Sequence, residues 1–446
     1  MADPGVSVAP YWELTFDADG DVDGPQQDRL LAALPATGVR DLIVFAHGWN
    51  NDRSTATRLY SGFFAPIPRL APAARIGYVG LVWPSMLFCD EPIPDFPHPA
   101  ATGCGPGPAL DQDTRRALLA AFPGRAAVVE RLARMLERHP RDEAGLEEFG
   151  RLVRLLVEVE PSGAAGRFAA DTADTADTAD TADAAPDGLP GMFTRPTAAV
   201  CGEFAEARAQ LEAPAGQETF SLPNPWEGAK ELLRQATYYA MKRRAGTVGE
   251  RGLGPAVGRL ADAAPGLRVH LVGHSFGGRL VSFALRGLPA KVRAVKSVTL
   301  LQGAFSHYAF AARLPDDPSA GGVLQGQERR IDGPLVCCCS RFDTALGTFY
   351  PLASRLADDD RSLLGPGIGA LLGARWGAMG HDGVQAVPGT RTCTLADALA
   401  SPLPTSGCVN VDASAVVRLG GPPSGAHSDI LHPELARVVL AAGRVR

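Results

Sequence analysis

The pentapeptide at residues 273–277, Gly-His-Ser-Phe-Gly, combines a nucleophilic hydroxyl with small neighbours. It follows the apolar run 269–272, which predicts a buried strand, and it precedes apolar residues at helical spacing. A serine at such a strand-to-helix turn has a strained backbone and an exposed hydroxyl, and Gly273 and Gly277 let the two elements approach closely. Ser275 is therefore the candidate nucleophile. A chance match in a chain with 50 glycines is the alternative interpretation.

A serine hydroxyl attacks a carbonyl efficiently only when a base removes its proton. Among the nine histidines, His427 lies in a loop between the last predicted strand and the last predicted helix, where it can reach the edge of a sheet. His432 follows closely but directly precedes the proline that begins that helix, and we expect it to belong to the helix. His274 adjoins the serine, and we expect it to be structural. His427 is the candidate base.

The base needs an acid that orients its ring. Asp343 stands just past the predicted strand 335–339, at the edge of the sheet where ligands of open α/β sheets bind. Asp382 and Asp412 compete for the role, but Asp382 follows no predicted strand and Asp412 is too close to the turn of its own strand. Asp343 is the candidate acid, with a surface carboxylate as the alternative interpretation. The chain order serine, aspartate, histidine is the one expected for a nucleophile at a strand-to-helix elbow.

Two backbone amides could bind the oxyanion that forms during attack. The amide of Phe276 lies at the start of the predicted helix, where the helix dipole favours negative charge. His47, Gly48 and Trp49 follow a continuous apolar strand at residues 41–46, and the glycine allows the amide of Trp49 to turn inward. The alternative is that His47 and Trp49 only pack the end of a strand.

These motifs together resemble the α/β-hydrolase superfamily. The sets HGWNND at residues 47–52, WPS at 83–85 and GHSFG at 273–277 are similar to those of a group of poorly characterised bacterial serine hydrolases. The resemblance covers roughly residues 38–85 and 225–446. It implies that 47–49 form the oxyanion loop, that 273–277 form the nucleophile elbow, and that Asp343 and His427 are acid and base. Such motifs indicate fold and mechanism but not the substrate.

Alternating strand and helix patterns predict an α/β fold with a mostly parallel sheet covered by helices on both faces. We expect an α/β-hydrolase fold in which residues 1–85 and 223–446 form the core and 86–222 form a helical insertion. Within the insertion, apolar residues at helical spacing predict helices near 128–136 and 149–156. The Asp-Thr-Ala repeat at 171–184 has no apolar periodicity, and we expect it to be a solvated, disordered linker.

Composition narrows the partners of the chain. The 446 residues carry a formal net charge of −6 with mixed signs and no basic stripe, so we expect no nucleic-acid partner. No apolar run reaches the roughly 18 residues that a membrane span needs, so we expect no integral membrane segment. The first residues lack the features of a signal peptide, which makes the cytoplasm the expected location. The oligomeric state is not indicated.

We also expect neither a metal nor an organic cofactor. The acidic run at residues 17–24 contains the start of a calcium-loop pattern, but position 30 holds Leu30 where the pattern requires an acid, so a solvated turn is favoured. The eight cysteines include no C-x-x-C pair, and the apolar run around 337–339 predicts a core strand rather than a zinc site or a disulfide framework.

The expected function is a serine hydrolase that cleaves a carboxylic ester of a small-molecule acyl substrate through an acyl-enzyme. A lipase, thioesterase, amidase or acyltransferase with the same three residues is one alternative, because acceptor choice depends on pocket shape and water access. A binding module that has kept the fold without turnover is the other alternative.

Overall fold

The computed structural model of the protein describes residues 5–49, 51–86, 110–140, 143–158, 172–174, 191–212, 224–315, 318–343, 377–420 and 425–446. A single eight-stranded sheet organises these residues, and it combines strands from both ends of the chain. Its spatial order is β1-β3-β2-β5-β6-β8-β10-β9, and every neighbouring pair is parallel. The strands are β1 (Tyr11–Thr15), β2 (Asp41–Ala46), β3 (Ile76–Val82), β5 (Arg268–His274), β6 (Val295–Leu301), β8 (Pro334–Cys339), β9 (Arg391–Thr394) and β10 (Gly407–Asp412). The predicted parallel sheet is therefore confirmed.

Helices cover both faces of the sheet, as parallel strands require. The central strand β2 shows how the sequence achieves this, because Leu42 and Val44 pack in one hydrophobic core and Ile43 and Phe45 pack in the other. The first core contains α1 (Gly24–Thr37), α9 (Pro225–Thr247), α10 (Gly254–Ala263) and α11 (Phe276–Gly287). The second contains α2 (Arg53–Phe64), α3 (Ile67–Leu70), α13 (Leu395–Ala400) and α14 (Pro433–Gly443). A π-helical stretch, Val248–Leu253, joins α9 to α10, and the short helix α12 spans Met379–Asp382.

Further helices lie between β3 and α9. They are α4 (Gln112–Ala121), α5 (Ala126–Arg138), α6 (Glu143–Val157), α7 (Gly191–Thr194) and α8 (Thr197–Glu212), and they include both helices predicted from apolar spacing. Arg244 on α9 joins this segment to the sheet, since its Nη1 donates to the Pro84 carbonyl at 2.8 Å and its Nη2 donates to the Ala121 carbonyl at 2.6 Å. Burial lowers the pKa of Arg244 to about 10.

The beginning of the Asp-Thr-Ala repeat differs from the prediction of a disordered linker. Thr172–Asp174 forms strand β4, which pairs antiparallel with β7 (Ala320–Gly322). Pairing of this kind uses backbone groups, so it does not require the apolar alternation that the repeat lacks. The rest of the repeat, 171 and 175–184, lies outside the described residues.

The acidic run at 17–24 serves a turn and a helix cap. The Asp17 carboxylate accepts from the amides of Asp19 and Asp21 at 3.0 and 2.9 Å, and the Asp23 carboxylate accepts from the Gln26 amide at the start of α1. Nowhere in the described ranges do three or more His, Cys, Asp or Glu side chains form a group suited to a metal ion.

Two other predictions concern the buried sheet and membrane spans. Cys337, Cys338 and Cys339 are buried in β8, as predicted for a core strand, and burial raises their pKa values. Within the part of the chain that the structure describes, no helix has both the length and the apolar character needed to cross a bilayer.

Candidate functional site

Ser275 lies between β5 and α11 in a strained conformation. Its φ and ψ are 56° and −123°, in a region that residues with a Cβ rarely occupy. The neighbouring strand holds the turn in place, because the Ser275 amide donates to the Leu301 carbonyl at 3.1 Å, and the Ser275 carbonyl accepts from the amides of Gly278 and Ala304. This geometry is the strand-to-helix elbow predicted from the sequence.

The two glycines of the pentapeptide are required by close approaches of backbone. A Cβ at Gly277 would lie 2.0 Å from the carbonyl oxygen of Ala46 on the neighbouring strand. A Cβ at Gly273 would lie 2.3 Å from the carbonyl oxygen of Gly277 itself. Larger residues would therefore push α11 away from β2 and β5 and change the direction of Ser275.

The expectation that the serine hydroxyl is exposed is wrong, because Ser275 is only 2% exposed. The loop after β2 packs against it. A Cβ at Gly48 would lie 2.6 Å from the Ser275 Cβ and 3.1 Å from its Oγ. The same contact that helps to bury Ser275 brings the backbone of Gly48 next to its hydroxyl.

Asp343 and His427 form a fully buried pair. Nδ1 of His427 lies 3.0 and 3.1 Å from the two carboxylate oxygens of Asp343, and both side chains are completely excluded from solvent. A carboxylate accepts hydrogen bonds, so Nδ1 of His427 carries a proton and donates a hydrogen bond to the Asp343 carboxylate. In the neutral ring Nε2 is then the nitrogen with a lone pair, which is the nitrogen that a general base uses.

Backbone pairing between two loops brings this pair together. The Ala426 amide donates to the Phe342 carbonyl at 2.8 Å, and residues 343 and 425 form an isolated antiparallel bridge. The loop that contains Asp343 is itself tightened by a bond of 2.9 Å from the Asp343 amide to the Ser340 carbonyl. Residues 84 positions apart in sequence thus face each other at the carboxyl edge of the sheet.

A hydrogen bond from His274 joins the candidate base to the turn that contains Ser275. Nε2 of His274 donates to the backbone carbonyl of His427 at 3.0 Å, and the centres of the two rings are 5.0 Å apart. His274 directly precedes Ser275, so this bond fixes the backbone of the candidate base relative to the candidate nucleophile. The expectation of a structural role for His274 agrees with these contacts.

The candidate oxyanion loop, residues 47–49, is held by hydrogen bonds to its carbonyl groups. The Gly48 carbonyl accepts from His47 Nδ1 at 2.8 Å and from Asn51 Nδ2 at 3.3 Å, and Asn51 Nδ2 also donates to the Trp49 carbonyl at 3.1 Å. The C=O and N–H of a trans peptide point in opposite directions. The Gly48 carbonyl points toward His47 Nδ1 and Asn51 Nδ2. The amide of Trp49 belongs to the same peptide and therefore points in the opposite direction.

His47 is held in turn by the end of β3. Trp83 donates from its backbone amide to His47 Nε2 at 3.4 Å and from its indole to the His47 carbonyl at 3.0 Å, and the two rings are stacked. Since Nε2 accepts, Nδ1 is the protonated nitrogen that donates to Gly48. The His47 amide donates to the Tyr60 hydroxyl, which donates to the Leu81 carbonyl.

The competing candidates have other partners. Asp382 accepts from His307 Nδ1 at 2.9 Å and from His381 Nδ1 at 2.7 Å, and these two hydrogen bonds lower the pKa of its carboxyl group. The Asp412 carboxylate accepts from the Ser414 amide within its own turn. His432 precedes the first residue of α14, as expected, and its ring lies 2.8 Å from the Asp429 carboxylate.

Two residues near the site have no sequence signal that would have assigned them a role. Asn51 belongs to the motif at 47–52, but its bonds to the backbone of that loop depend on the folded turn. Tyr238 lies on α9, and its ring contacts both Trp49 and Phe276. A buried aromatic residue on a helix is ordinarily a core residue, and only tertiary structure shows that this one adjoins the candidate site.

No family model matches the chain, and neither a curated protein nor a solved structure matches it. The function of the chain is therefore inferred from the geometry described above.

Proposed function

We propose that the protein is a serine hydrolase of α/β-hydrolase fold that cleaves a carboxylic ester through an acyl-enzyme. The observation that carries the proposal is the buried Asp343–His427 pair. The His427 carbonyl accepts a hydrogen bond from the side chain of His274, the residue that precedes the strained Ser275. The parallel sheet also supports it, because the nucleophile follows β5, the acid follows β8, and the base precedes the last helix.

In the first half of the reaction, Ser275 Oγ attacks the acyl carbonyl while Nε2 of His427 takes its proton. Asp343 holds the ring in the tautomer whose Nε2 is free of a proton, and its negative charge stabilises the imidazolium that forms. The C–O bond to the alcohol then breaks, and Nε2 returns the proton to the leaving oxygen. The acyl group remains on Ser275 as an ester.

In the second half, water replaces the alcohol. His427 removes a proton from the water, which attacks the acyl carbon, and the proton passes to Ser275 Oγ as the carboxylic acid leaves. In both halves the amides of Phe276 and Trp49 bind the tetrahedral oxyanion, and one such donor typically contributes about 3 kcal/mol to lowering the barrier. The bonds from His47 and Asn51 keep the loop that carries the second donor in a single orientation.

Hydrolysis of p-nitrophenyl esters with short and long acyl chains tests this function. We expect the wild type to release p-nitrophenol and Ser275→Ala to lose roughly 10⁴-fold or more in kcat. Matched amides and thioesters rank the alternative acyl groups, and release of acyl product to a second alcohol instead of to water would identify an acyltransferase. Circular dichroism checks that the variant remains folded.

An inactive wild type with every substrate would favour a binding module instead. Full activity of Ser275→Ala would show that another group attacks the ester. Either result would contradict the proposed role of the serine.

A further inference from the structure

Tyr238 on α9 contacts the side chains of both residues whose amides are the candidate oxyanion donors. Its ring meets Trp49 edge-on, with centres 5.7 Å apart and planes at 82°, and it meets Phe276 at 5.0 Å and 39°. All three side chains are nearly or fully buried. We propose that Tyr238 is a positioning residue that holds the two amides at the separation the oxyanion requires, an inference that rests on the proposed function.

The helix that carries Tyr238 is anchored toward both of its ends. Near the beginning, the indole of Trp226 donates to the Pro140 carbonyl at 3.0 Å and its ring stacks on His139. Near the end, the guanidinium of Arg244 bonds the carbonyls of Pro84 and Ala121. A ring on the middle of this helix is therefore a fixed reference against which the two segments that carry the amides can be set.

The two amides need such a reference because they belong to separate pieces of chain. The donor at residue 49 follows β2, and the donor at 276 begins α11 after β5. The hydrogen bonds from His47 and Asn51 to the Gly48 carbonyl fix the orientation of the first peptide, but they do not join it to the second. Tyr238 contacts the side-chain rings of both Trp49 and Phe276, so it connects the two residues that carry these amides.

Displacement of either amide acts mainly on the transition state. The oxyanion exists only after attack, so donors aimed at it lower the barrier more than they strengthen substrate binding. Loss of the Tyr238 ring should therefore lower kcat and leave KM close to its original value. The ring and not the hydroxyl makes both contacts, so phenylalanine should replace tyrosine with little loss.

The neighbouring Tyr239 provides a matched control on the same helix. Its ring packs edge-on against Phe193 of α7 at 5.2 Å and makes no ring contact with Trp49 or Phe276 in the described structure. The experiment compares Tyr238→Ala, Tyr238→Phe and Tyr239→Ala in ester hydrolysis and thermal unfolding. We expect Tyr238→Ala to lose roughly 10- to 100-fold in kcat at unchanged KM, and the other two variants to retain the wild-type kcat.

A second measurement does not depend on turnover. The chain has five tryptophans, and ¹⁹F NMR of protein labelled with 5-fluorotryptophan resolves them, with the Trp49 signal assigned by Trp49→Phe. We expect the Trp49 signal to shift in Tyr238→Ala and to stay in place in Tyr239→Ala. This readout separates the inference from the proposed function, because it applies even if the wild type hydrolyses no ester.

An unmoved Trp49 signal in Tyr238→Ala would overturn the inference whatever the activity. Equal losses of kcat in Tyr238→Ala and Tyr239→Ala would also overturn it, since general damage to α9 would then explain both. A loss that appears in KM alone would assign the ring to substrate binding and contradict a positioning role.

Discussion

The sheet contains two sets of serine, histidine and aspartate, and strand β5 contributes to both. At its carboxyl end, Ser275 follows the strand near the buried pair of Asp343 and His427. Nearer its amino end, His270 lies 2.9 Å from the Ser297 hydroxyl and 2.9 Å from the Asp41 carboxylate. The same three residue types thus occur twice in one sheet, but the two sets differ in backbone geometry and surroundings.

The second set is a satisfied network within the core. The Asp41 carboxylate accepts, so His270 donates from Nε2 and its Nδ1 accepts from the Ser297 hydroxyl. Arg268 lies 3.3 Å from the same carboxylate and offsets its charge. A Cβ at Gly443 would lie 2.5 Å from the His270 ring, so α14 covers the ring on that side.

The difference between the sets shows what separates a structural network from a candidate site. Ser297 lies within β6, paired with His270 of β5, and its hydroxyl makes a hydrogen bond to the His270 ring. Ser275 has left the ladder with a positive φ, at the start of a helix and against the glycine of a second loop. Backbone strain and the close approach of Gly48, rather than the identity of the three side chains, distinguish the first set.

The largest expected effect is on kcat, and it distinguishes Asp343 from Asp382, the two carboxylates that compete for the role of acid. Asp343→Asn should lower kcat for ester hydrolysis by roughly 10⁴-fold, because an amide can donate to Nδ1 of His427 and favour the wrong tautomer. Asp382→Asn removes the negative charge and one of the two oxygens that accept from His307 and His381, and it should leave kcat near that of the wild type. If Asp382→Asn were the more damaging change, the acid would be misassigned.

A smaller effect on kcat tests the orientation of the loop that carries the candidate oxyanion donor, the amide of Trp49. Asn51→Ala removes the Nδ2 hydrogen bonds to the carbonyls of Gly48 and Trp49, and it should lower kcat by roughly 10- to 100-fold, with less effect on KM. Gln26→Ala removes another amide side chain that binds backbone, at the Thr15 amide of β1, and serves as the control. Steady-state kinetics of both variants measure the effect, and thermal unfolding shows that the same fraction of each variant is folded. Equal kcat values would contradict a role for the loop orientation in turnover.

The core set should affect stability and not turnover. Ser297→Ala leaves the acceptor nitrogen of His270 without its donor in a fully buried place, which should cost about 1–3 kcal/mol in the free energy of unfolding. Urea denaturation followed by circular dichroism measures this loss, and ester hydrolysis should continue at the wild-type kcat. Loss of turnover without loss of stability would make the core set the catalytic one.

The smallest effect is a dependence of stability on pH. Burial lowers the pKa of His270 although the bond to Asp41 opposes the shift. A histidine with a lowered pKa in the folded state stabilises the fold above its unfolded pKa of about 6.5, and that stability is lost as pH falls below this value. Urea denaturation between pH 8 and 5 should show this decline, and His270→Gln should make it shallower; an unchanged slope would contradict the assignment.

Much of the fold follows from local patterns. The strand at 41–46 was predicted with the bounds that the structure has, because it is an unbroken apolar run next to a charged start and a glycine turn. The edge strand β9 was not predicted, since its residues are mostly exposed and do not alternate. Thr172–Asp174 was not predicted either, because pairing with β7 uses backbone groups and requires no side-chain pattern.

The candidate site was predictable where residues follow strand ends and not where they depend on packing. Asp343 and His427 could be selected because the carboxyl ends of parallel strands share one edge. The bonds of Asn51 and the ring contacts of Tyr238 arise from segments far apart in sequence, so no local spacing indicates them.

Labelling with a fluorophosphonate probe, followed by mass spectrometry of the peptides, tests the central claim most directly. The probe reacts with serines that a neighbouring base activates. Folded wild type should carry one label at Ser275, Ser297→Ala should be labelled at the same serine, and Ser275→Ala should remain unlabelled. Labelling that persists in Ser275→Ala, or a folded wild type that takes up no probe, would contradict an activated nucleophile at the end of β5.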